Sequence, residues 1–162
     1  ERYLAGLEEY YRIIAGYFSP GVKFVDGYEG LSTLQEVLSL FKGKPVFIDY
    51  WFSTCGPCIA EFEYTSALKQ FLKDNEIEML YISVDSERMK ENWENTIKRY
   101  NLEGNHIRTS QKLHQDMDIN YGIIYFPRYM IVNARGEIVV EQAKNPSAGD
   151  ELINQIKYSL KR

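Results

Sequence analysis

Two long apolar runs in the middle of the chain determine its predicted architecture. Residues 45–52, "PVFIDYWF", are interrupted only by Asp49, and residues 77–84 read "IEMLYISV". Runs of this length and continuity predict strands that are buried on both faces. The segment between them, residues 57–73, has the apolar spacing of a helix. The pattern therefore predicts two parallel strands joined by a right-handed crossover.

The rest of the chain also alternates between predicted helices and strands. Ser32 and Gln35 have the spacing of a capping box at the start of a helix, and "NARG" at 133–136 separates two apolar runs as the turn of a β-hairpin does. Further helices are predicted at residues 2–18, 31–43, 86–101, 111–117 and 147–160, and further strands at residues 22–27 and 105–110. Together these elements predict an α/β fold with a central mixed sheet and helices on both faces.

Composition and charge narrow the class of protein without identifying it. The chain has 162 residues, of which 44% are hydrophobic and 26% charged, as in an ordinary globular domain. The formal net charge of −4 argues against a nucleic-acid partner, and no apolar run reaches the length of a membrane span. Residues 1–20 are predicted to form an N-terminal helix, which is either part of this fold or a linker from a preceding domain. Residues 21–162 are predicted to form a single domain.

The reactive chemistry of the sequence is concentrated in "CGPC", which contains its only two cysteines, Cys55 and Cys58. Cys55 follows a predicted buried strand and precedes a predicted helix, whose unsatisfied N–H groups and dipole stabilise a thiolate. Cys58 lies one helical turn further on, so its sulfur can reach that of Cys55. Gly56 permits a tight turn, and Pro57 suits the first turn of the helix. The spacing predicts a reversible dithiol–disulfide pair.

Two other interpretations of the cysteines remain open on sequence alone. One is a structural disulfide, although so short a loop would gain little from closure. The other is a zinc site, which would need four ligands. The only histidines, His106 and His114, are eight residues apart and lack the usual ligand spacing. We therefore expect neither a metal ion nor a cofactor.

Around the cysteines the sequence resembles the thioredoxin superfamily. "DYWFSTCGPC" is similar to the thioredoxin pattern of an Asp, an aromatic residue and a Trp before Cys-Gly-Pro-Cys. The lead-in "KGKPVFIDYW" and the segment after "ISVDSE" resemble the TlpA-like thiol–disulfide oxidoreductases of the bacterial envelope. The resemblance implies a thioredoxin-like fold over about residues 22–160, with a helical insertion after the second core strand.

The resemblance also implies roles for individual residues. Cys55 is then the attacking thiol, Cys58 the resolving thiol, and the buried Asp49 the proton acceptor for Cys58. An Asp that finds a partner at the strand edge is the alternative. Pro127 matches a cis-proline that faces the redox pair, and Phe126 matches the residue before it that contacts the substrate. A trans proline that ends a loop is also compatible with the sequence.

Other positions near the cysteines complete the implied partner-binding site. Trp51 matches the Trp that packs near the redox turn, with plain core packing as the alternative, and Gly56 and Pro57 form the turn itself. Thr54 departs from the pattern, because thioredoxins have Trp directly before the first cysteine. This change removes a flat apolar surface for partners but leaves the exchange chemistry intact. Glu61 matches a Glu that is common in TlpA-like proteins, and a solvated helix residue is the other interpretation.

The function that follows is thiol–disulfide exchange with protein partners. The Gly-Pro dipeptide favours net reduction of partner disulfides, with an upstream dithiol as the electron donor. The resemblance implies a location in the bacterial periplasm or envelope, and the cytoplasm is the alternative. A thiol peroxidase and a non-catalytic thioredoxin-fold module of a larger envelope protein are the competing functions.

Overall fold

A computed structural model describes residues 2–161, except for the side chains of residues 2, 3, 5, 9 and 12–14 in the first helix. Its helices are α1 (Arg2–Ala15), α2 (Leu34–Ser39), α3 (Gly56–Glu61), α4 (Thr65–Asp74), α5 (Lys90–Tyr100), α6 (Gln111–Tyr121) and α7 (Asp150–Leu160). Its strands are β1 (Val22–Phe24), β2 (Val46–Trp51), β3 (Glu78–Ser83), β4 (Gly104–Arg108), β5 (Arg128–Val132) and β6 (Ile138–Val140). Short 3-10 turns cover Tyr28–Gly30, Phe62–Tyr64, Glu87–Met89 and Pro146–Ala148.

The six strands that the structure describes form one mixed sheet in the order β1-β4-β3-β2-β5-β6. The first four strands in that order are parallel, and β5 pairs antiparallel with both β2 and β6. β2 lies in the interior of the sheet, and all six of its residues are buried, as expected for a strand covered on both faces. The predicted mixed sheet is confirmed.

The connections place helices on both faces of the sheet. The crossover from β1 to β2 through α2 and the crossover from β2 to β3 through α3 and α4 run in opposite directions across the sheet. Two right-handed connections of opposite direction put α2 and α4 on opposite faces. α6 packs against α2, while α7 and α4 both contact the turn at Pro146–Ala148. The predicted α/β architecture is confirmed, with α5 as the helix that follows β3.

The core between these layers is rich in tyrosine. Tyr50, Tyr81 and Tyr129 are 0%, 0% and 1% exposed, and Trp51 and Trp93 are buried to the same degree. A buried tyrosine usually gives its hydroxyl group a hydrogen-bond partner. Tyrosines on the adjacent strands β2, β3 and β5 therefore bring polar groups into the middle of the sheet.

The capping box of α2 differs from the prediction by one residue. It is formed by Thr33 and Glu36, not by Ser32 and Gln35. Thr33 Oγ1 accepts a hydrogen bond from the Glu36 N–H at 3.2 Å, and the Glu36 carboxylate accepts one from the Thr33 N–H at 3.3 Å. Both pairs have the three-residue spacing of a capping box, so spacing alone could not choose between them.

The single helix predicted at residues 57–73 is divided in two. α3 ends at Glu61, a 3-10 turn covers Phe62–Tyr64, and α4 begins at Thr65. Thr65 Oγ1 donates a hydrogen bond to Phe62 O at 2.8 Å, which satisfies a carbonyl group at the break. Phe62 is buried there, and its ring packs edge-on against Trp51 with 5.4 Å between centroids.

Glycines end the first and sixth helices. α1 ends at Ala15, before the predicted end at residue 18, because Gly16 has φ of 72°. α6 continues four residues beyond its predicted end and stops at Gly122, where φ is 60°. Within residues 2–161, no helix combines the length and the apolar character that a membrane span requires. The division into residues 1–20 and 21–162 stays a prediction.

Candidate redox site

The two cysteines lie at the carboxyl end of β2. The strand ends at Trp51, α3 begins at Gly56, and Cys55 is the N-cap residue of that helix. Cys55 and Cys58 form a disulfide with 2.04 Å between the sulfurs and 5.2 Å between the Cα atoms. The Cys58 N–H donates a hydrogen bond to Cys55 Sγ at 3.2 Å. A sulfur that accepts a backbone amide at a helix start is stabilised as a thiolate once the disulfide is reduced.

Cys55 reaches the protein surface and Cys58 does not. Cys55 is 4% exposed, Cys58 is completely buried, and the neighbouring Thr54, Gly56 and Pro57 are exposed. Apart from its chain neighbours and the backbone of its own helix, a Cβ added at Gly56 would meet no described atom within 4 Å, and the backbone there is not left-handed. This position therefore has room for a side chain, and its absence leaves the flank of Cys55 open. The role of Gly56 in the turn stays a prediction.

The loop before β5 lies beside the cysteines. The Phe126–Pro127 peptide bond is cis, as the resemblance implied. The first residue of β5 pairs with Tyr50 near the end of β2, which places Pro127 at the same edge of the sheet as the disulfide. The Phe126 ring packs edge-on against Phe52, three residues before Cys55, with 5.6 Å between centroids.

Trp51 lies below this surface. It has no exposed area, and its ring packs against Phe62 in the core. A protein docked on the surface would not touch Trp51, so any influence on exchange must pass through the residues around it. The placement favours the core-packing interpretation over direct contact with a partner.

Asp49 is buried in the middle of β2. It is 1% exposed, and within residues 2–161 neither of its carboxyl oxygens has a hydrogen-bond partner. Burial raises the pKa of Asp49 well above its ordinary value, and the charge of Glu61 raises it further. The alternative, an Asp paired at the strand edge, is wrong for the described residues. A buried carboxyl group with a raised pKa, close in sequence to a pair of cysteines, is a candidate for proton transfer.

Asp85, a second buried carboxylate, holds the redox turn in place, and the sequence did not reveal it. Asp85 follows β3 and is 5% exposed. Its carboxylate accepts hydrogen bonds from the Ser53 N–H and Ser53 Oγ, both at 2.8 Å, and from Ser83 Oγ at 2.7 Å. Because Ser53 lies two residues before Cys55, Asp85 fixes the backbone that leads into the disulfide. The one available signal was an acidic residue just after a buried strand.

Glu61 is anchored to the segment before α7. Its carboxylate accepts hydrogen bonds from the Ser147 N–H at 2.8 Å and from Ser147 Oγ at 2.9 Å, and Asn145 Nδ2 lies 3.4 Å away. The side chain is therefore held in one position near the surface, not free in solvent. Its charge acts on the pKa of Asp49 from that position.

The histidines are separate from the disulfide chemistry. His106 is completely buried in β4, with Nε2 2.6 Å from Leu102 O, and His114 is exposed on α6. Burial lowers the pKa of His106 to about 4, so its ring is neutral at neutral pH. Among the described residues, no three His, Cys, Asp or Glu side chains are grouped so that they could hold a metal ion.

Proteins that are named thiol–disulfide oxidoreductases resemble this chain in sequence and in fold. Residues 20–155 match the Redoxin family. The chain is 26% identical over 167 aligned residues to thiol-disulfide oxidoreductase ResA of Bacillus cereus, which covers 94% of this chain and 86% of ResA. The thioredoxin domain of a thiol-disulfide oxidoreductase from Bacteroides vulgatus has a TM-score of 0.63 and 28% identity, over 75% of this chain and 82% of that domain.

A second solved structure gives the same result. A thiol:disulfide interchange protein from Bacteroides sp. has a TM-score of 0.62 and 25% identity, over 76% of this chain and 78% of that protein. The family match spans most of the chain and includes β2, the disulfide and Pro127. The chain therefore belongs to the Redoxin family, and within the thioredoxin superfamily it is a TlpA-like thiol–disulfide oxidoreductase.

Proposed function

We propose that the protein reduces disulfide bonds in other proteins through the Cys55–Cys58 pair, and that it does so in the bacterial cell envelope. The observation that carries the reductase proposal is the hydrogen bond from the Cys58 N–H to Cys55 Sγ at the start of α3. This contact gives Cys55 Sγ the environment of a nucleophilic thiolate. The envelope location rests on the TlpA-like resemblance.

The proposed reaction has two exchange steps. The Cys55 thiolate attacks one sulfur of a partner disulfide and forms a mixed disulfide, and the partner's other sulfur leaves as a thiolate. Cys58 then transfers its proton to ionised Asp49 and attacks Cys55 Sγ. The bond to the partner breaks, and the partner departs with two reduced cysteines. A dithiol of an upstream donor protein supplies the two electrons that reduce the resulting Cys55–Cys58 disulfide.

An apolar surface beside the disulfide suits a protein partner. Phe52 and Phe126 pack together there, and Ile124 and Tyr125 are 66% and 54% exposed in the same loop. We propose that this surface replaces the apolar contact that Thr54 does not provide. An extended segment with apolar residues around its cystine would bury these side chains on docking.

The dipeptide between the cysteines supports reduction over oxidation. Gly56 and Pro57 are the residues found in strongly reducing thioredoxins, whose potential is about −270 mV. Equilibration of the protein with a series of thioredoxin or glutathione buffers measures its potential. A binding module without redox function would show no dithiol–disulfide equilibrium in this titration.

Insulin reduction tests the proposal directly. We expect the wild type to accelerate insulin reduction by a dithiol, and Cys55→Ser to lower the rate to the uncatalysed value. Cys58→Ser retains the attacking thiol, so it is expected to accumulate mixed disulfides that a reductant releases. Circular dichroism of both variants checks that they fold. Insulin reduction by Cys55→Ser at the wild-type rate would overturn the proposal.

A thiol peroxidase is the alternative enzyme, and a rate comparison distinguishes it. Arg128 follows Pro127, but its guanidinium donates to Gly122 O at 2.9 Å and Glu141 O at 3.1 Å. Both acceptors are backbone carbonyls, so the guanidinium of Arg128, the cation nearest to Pro127 in sequence, is already bonded within the protein. We expect insulin to be reduced faster than hydrogen peroxide is consumed, and the reverse order would favour the peroxidase.

A further inference from the structure

Asp49 lies in a row of buried side chains that crosses four strands. In the register of the sheet, Asp49 of β2 is opposite Tyr81 of β3 on one side and Tyr129 of β5 on the other. Tyr81 is in turn opposite His106 of β4. Residues in register on neighbouring strands project from the same face of a sheet. All four residues are at most 1% exposed, so solvent does not reach the row directly.

The carboxyl group and the two hydroxyl groups of this row are unpaired. Within the part of the chain that the structure describes, both oxygens of Asp49 and the hydroxyls of Tyr81 and Tyr129 are buried without a hydrogen-bond partner. Native proteins rarely leave buried polar groups in this condition. Two unpaired hydroxyls on either side of an unpaired carboxyl group therefore suggest a function that packing alone does not explain.

We infer that Tyr81 and Tyr129 are positioning residues for Asp49: their hydroxyl groups stabilise the carboxylate that forms when Asp49 gives up its proton. The inference rests on the proposed function, in which Asp49 must be ionised to accept the proton of Cys58. A carboxylate in a buried site needs nearby donors or dipoles in place of water. Neither hydroxyl forms a hydrogen bond to Asp49, so each acts through its dipole. A tyrosine O–H can rotate to turn the positive end of that dipole toward such a charge.

The ionisable groups that act on Asp49 come from three elements. Glu61 of α3 opposes ionisation, because its own negative charge raises the pKa of Asp49 beyond the effect of burial. Tyr81 of β3 and Tyr129 of β5 have pKa values raised first by burial and then by the charge of Asp49. Both hydroxyls therefore stay protonated and remain donors. No described cation is bonded to Asp49. The two hydroxyls and the Nε1–H of Trp51, two residues further along the same face of β2, are the buried donors there that have no partner among residues 2–161.

Tyr50 provides a matched control for both tyrosines. It neighbours Asp49 in the same strand and is equally buried, but it projects from the opposite face of the sheet. Its hydroxyl contacts Met130 Sδ at 3.6 Å. Tyr50→Phe therefore removes a buried hydroxyl from the same region without removing one from the Asp49 row.

The experiment titrates Asp49 in the reduced protein by the infrared C=O band of its protonated carboxyl group, assigned with Asp49→Asn. In Tyr81→Phe and Tyr129→Phe we expect an acid dissociation constant about threefold smaller than in the wild type, less than the roughly tenfold effect of a direct hydrogen bond to a charged group. The pH at which mixed disulfides are resolved should rise correspondingly, by about half a pH unit. Tyr50→Phe should match the wild type in both measurements.

The two tyrosines are tested separately, and phenylalanine retains the packing of each ring, so one misfolded variant does not remove the test. If Asp49 titrates alike in the wild type, Tyr81→Phe, Tyr129→Phe and Tyr50→Phe, the inference is overturned. The proposed function is tested independently, because it requires only that the wild type reduces insulin. A wild type that reduces insulin with unchanged titrations would reject the tyrosine role alone.

Discussion

Asp49 and Asp85 are both buried, but they differ in how the protein accommodates them. Asp85 is 5% exposed and accepts three hydrogen bonds from Ser53 and Ser83. Asp49 is 1% exposed and has no hydrogen-bond partner among residues 2–161. Removing either carboxylate from water is costly. Hydrogen bonds offset that cost at Asp85, and retention of the proton avoids it at Asp49.

The difference follows from the position of each residue in the sheet. Asp85 lies beyond the carboxyl end of β3, where the chain turns and the N–H and hydroxyl groups of loop residues are within reach. Asp49 lies in the middle of β2, where ladder hydrogen bonds to β3 and β5 use the backbone groups. A carboxylate at a strand end can therefore serve structure, whereas one in mid-strand remains available for proton transfer.

The largest effect is expected from removing the paired carboxylate. Asp85→Ala leaves the Ser53 N–H and the hydroxyls of Ser53 and Ser83 without their acceptor. Three lost bonds to a charged group should lower the free energy of unfolding by about 4 kcal/mol. Urea unfolding of the oxidised protein measures the change. Asp85→Asn keeps one acceptor oxygen and should lose less than half as much.

Asp118→Ala is the matched control for this prediction, since Asp118 is an exposed aspartate on α6. Its removal should change stability by less than about 0.5 kcal/mol. A similarly small change for Asp85→Ala would mean that the serine groups find other partners. In that case the contrast between a structural and a chemical aspartate would fail.

Only one of these two aspartates could be recognised from the sequence, and the reason is physical. Asp49 is visible because it interrupts an apolar run, and a charge in such a run needs an explanation. Asp85 has no such context, because its partner Ser53 is 32 residues away and approaches only when β2 and β3 lie side by side. The same limit hid Tyr81 and Tyr129, whose relation to Asp49 depends on strand register.

The fold was more predictable than the contacts within the site. The runs at 45–52 and 77–84 predict β2 and β3 because continuous burial leaves a local signature in the sequence. Spacing could not separate the Thr33–Glu36 capping box from the pair one residue earlier. It also could not show the break after Glu61, where the buried ring of Phe62 packs against Trp51.

The second prediction concerns the unpaired carboxyl group. Because the pKa of Asp49 is raised in the folded protein, the folded state keeps a proton that the unfolded chain releases. Stability therefore falls as pH rises above the ordinary Asp value, by about 1.4 kcal/mol per pH unit between the two pKa values. Asp49→Asn removes this slope. Over two pH units within that range, the free energy of unfolding of the variant should therefore rise by about 3 kcal/mol relative to that of the wild type.

Urea unfolding of the oxidised proteins at several pH values tests this slope. Glu61→Gln is the companion variant, because it removes only the smaller of the two causes that raise the pKa of Asp49. Glu61→Gln should narrow the pH range over which stability falls, without abolishing the fall. If the wild type and Asp49→Asn keep the same difference in stability at every pH, Asp49 ionises normally in the folded protein.

The smallest expected effect comes from His106. In hydrogen bonding it is intermediate between the two aspartates, because only one of its ring nitrogens has a partner among residues 2–161. Its Nε2 lies 2.6 Å from Leu102 O, while its Nδ1 is buried without a partner among the described residues. Burial lowers the pKa of His106 to about 4, against an unfolded value of about 6.5. The unfolded chain therefore binds a proton first, and the stability present above pH 6.5 is lost as the pH falls toward 4.

Between pH 7 and pH 5 this loss should be about 2 kcal/mol, but the raised pKa of Asp49 changes stability with pH in the opposite sense. The two slopes offset each other in the wild type, so the His106 slope should become visible in Asp49→Asn. Urea unfolding of that variant at the two pH values measures it. Adding His114→Gln, an exposed histidine, should leave the loss unchanged, whereas adding His106→Phe should abolish it. Equal stability of Asp49→Asn at both pH values would show that His106 can be protonated inside the folded protein at no cost. In that case burial would shift the pKa of the unpaired carboxyl group of Asp49 but not that of the unpaired ring nitrogen of His106.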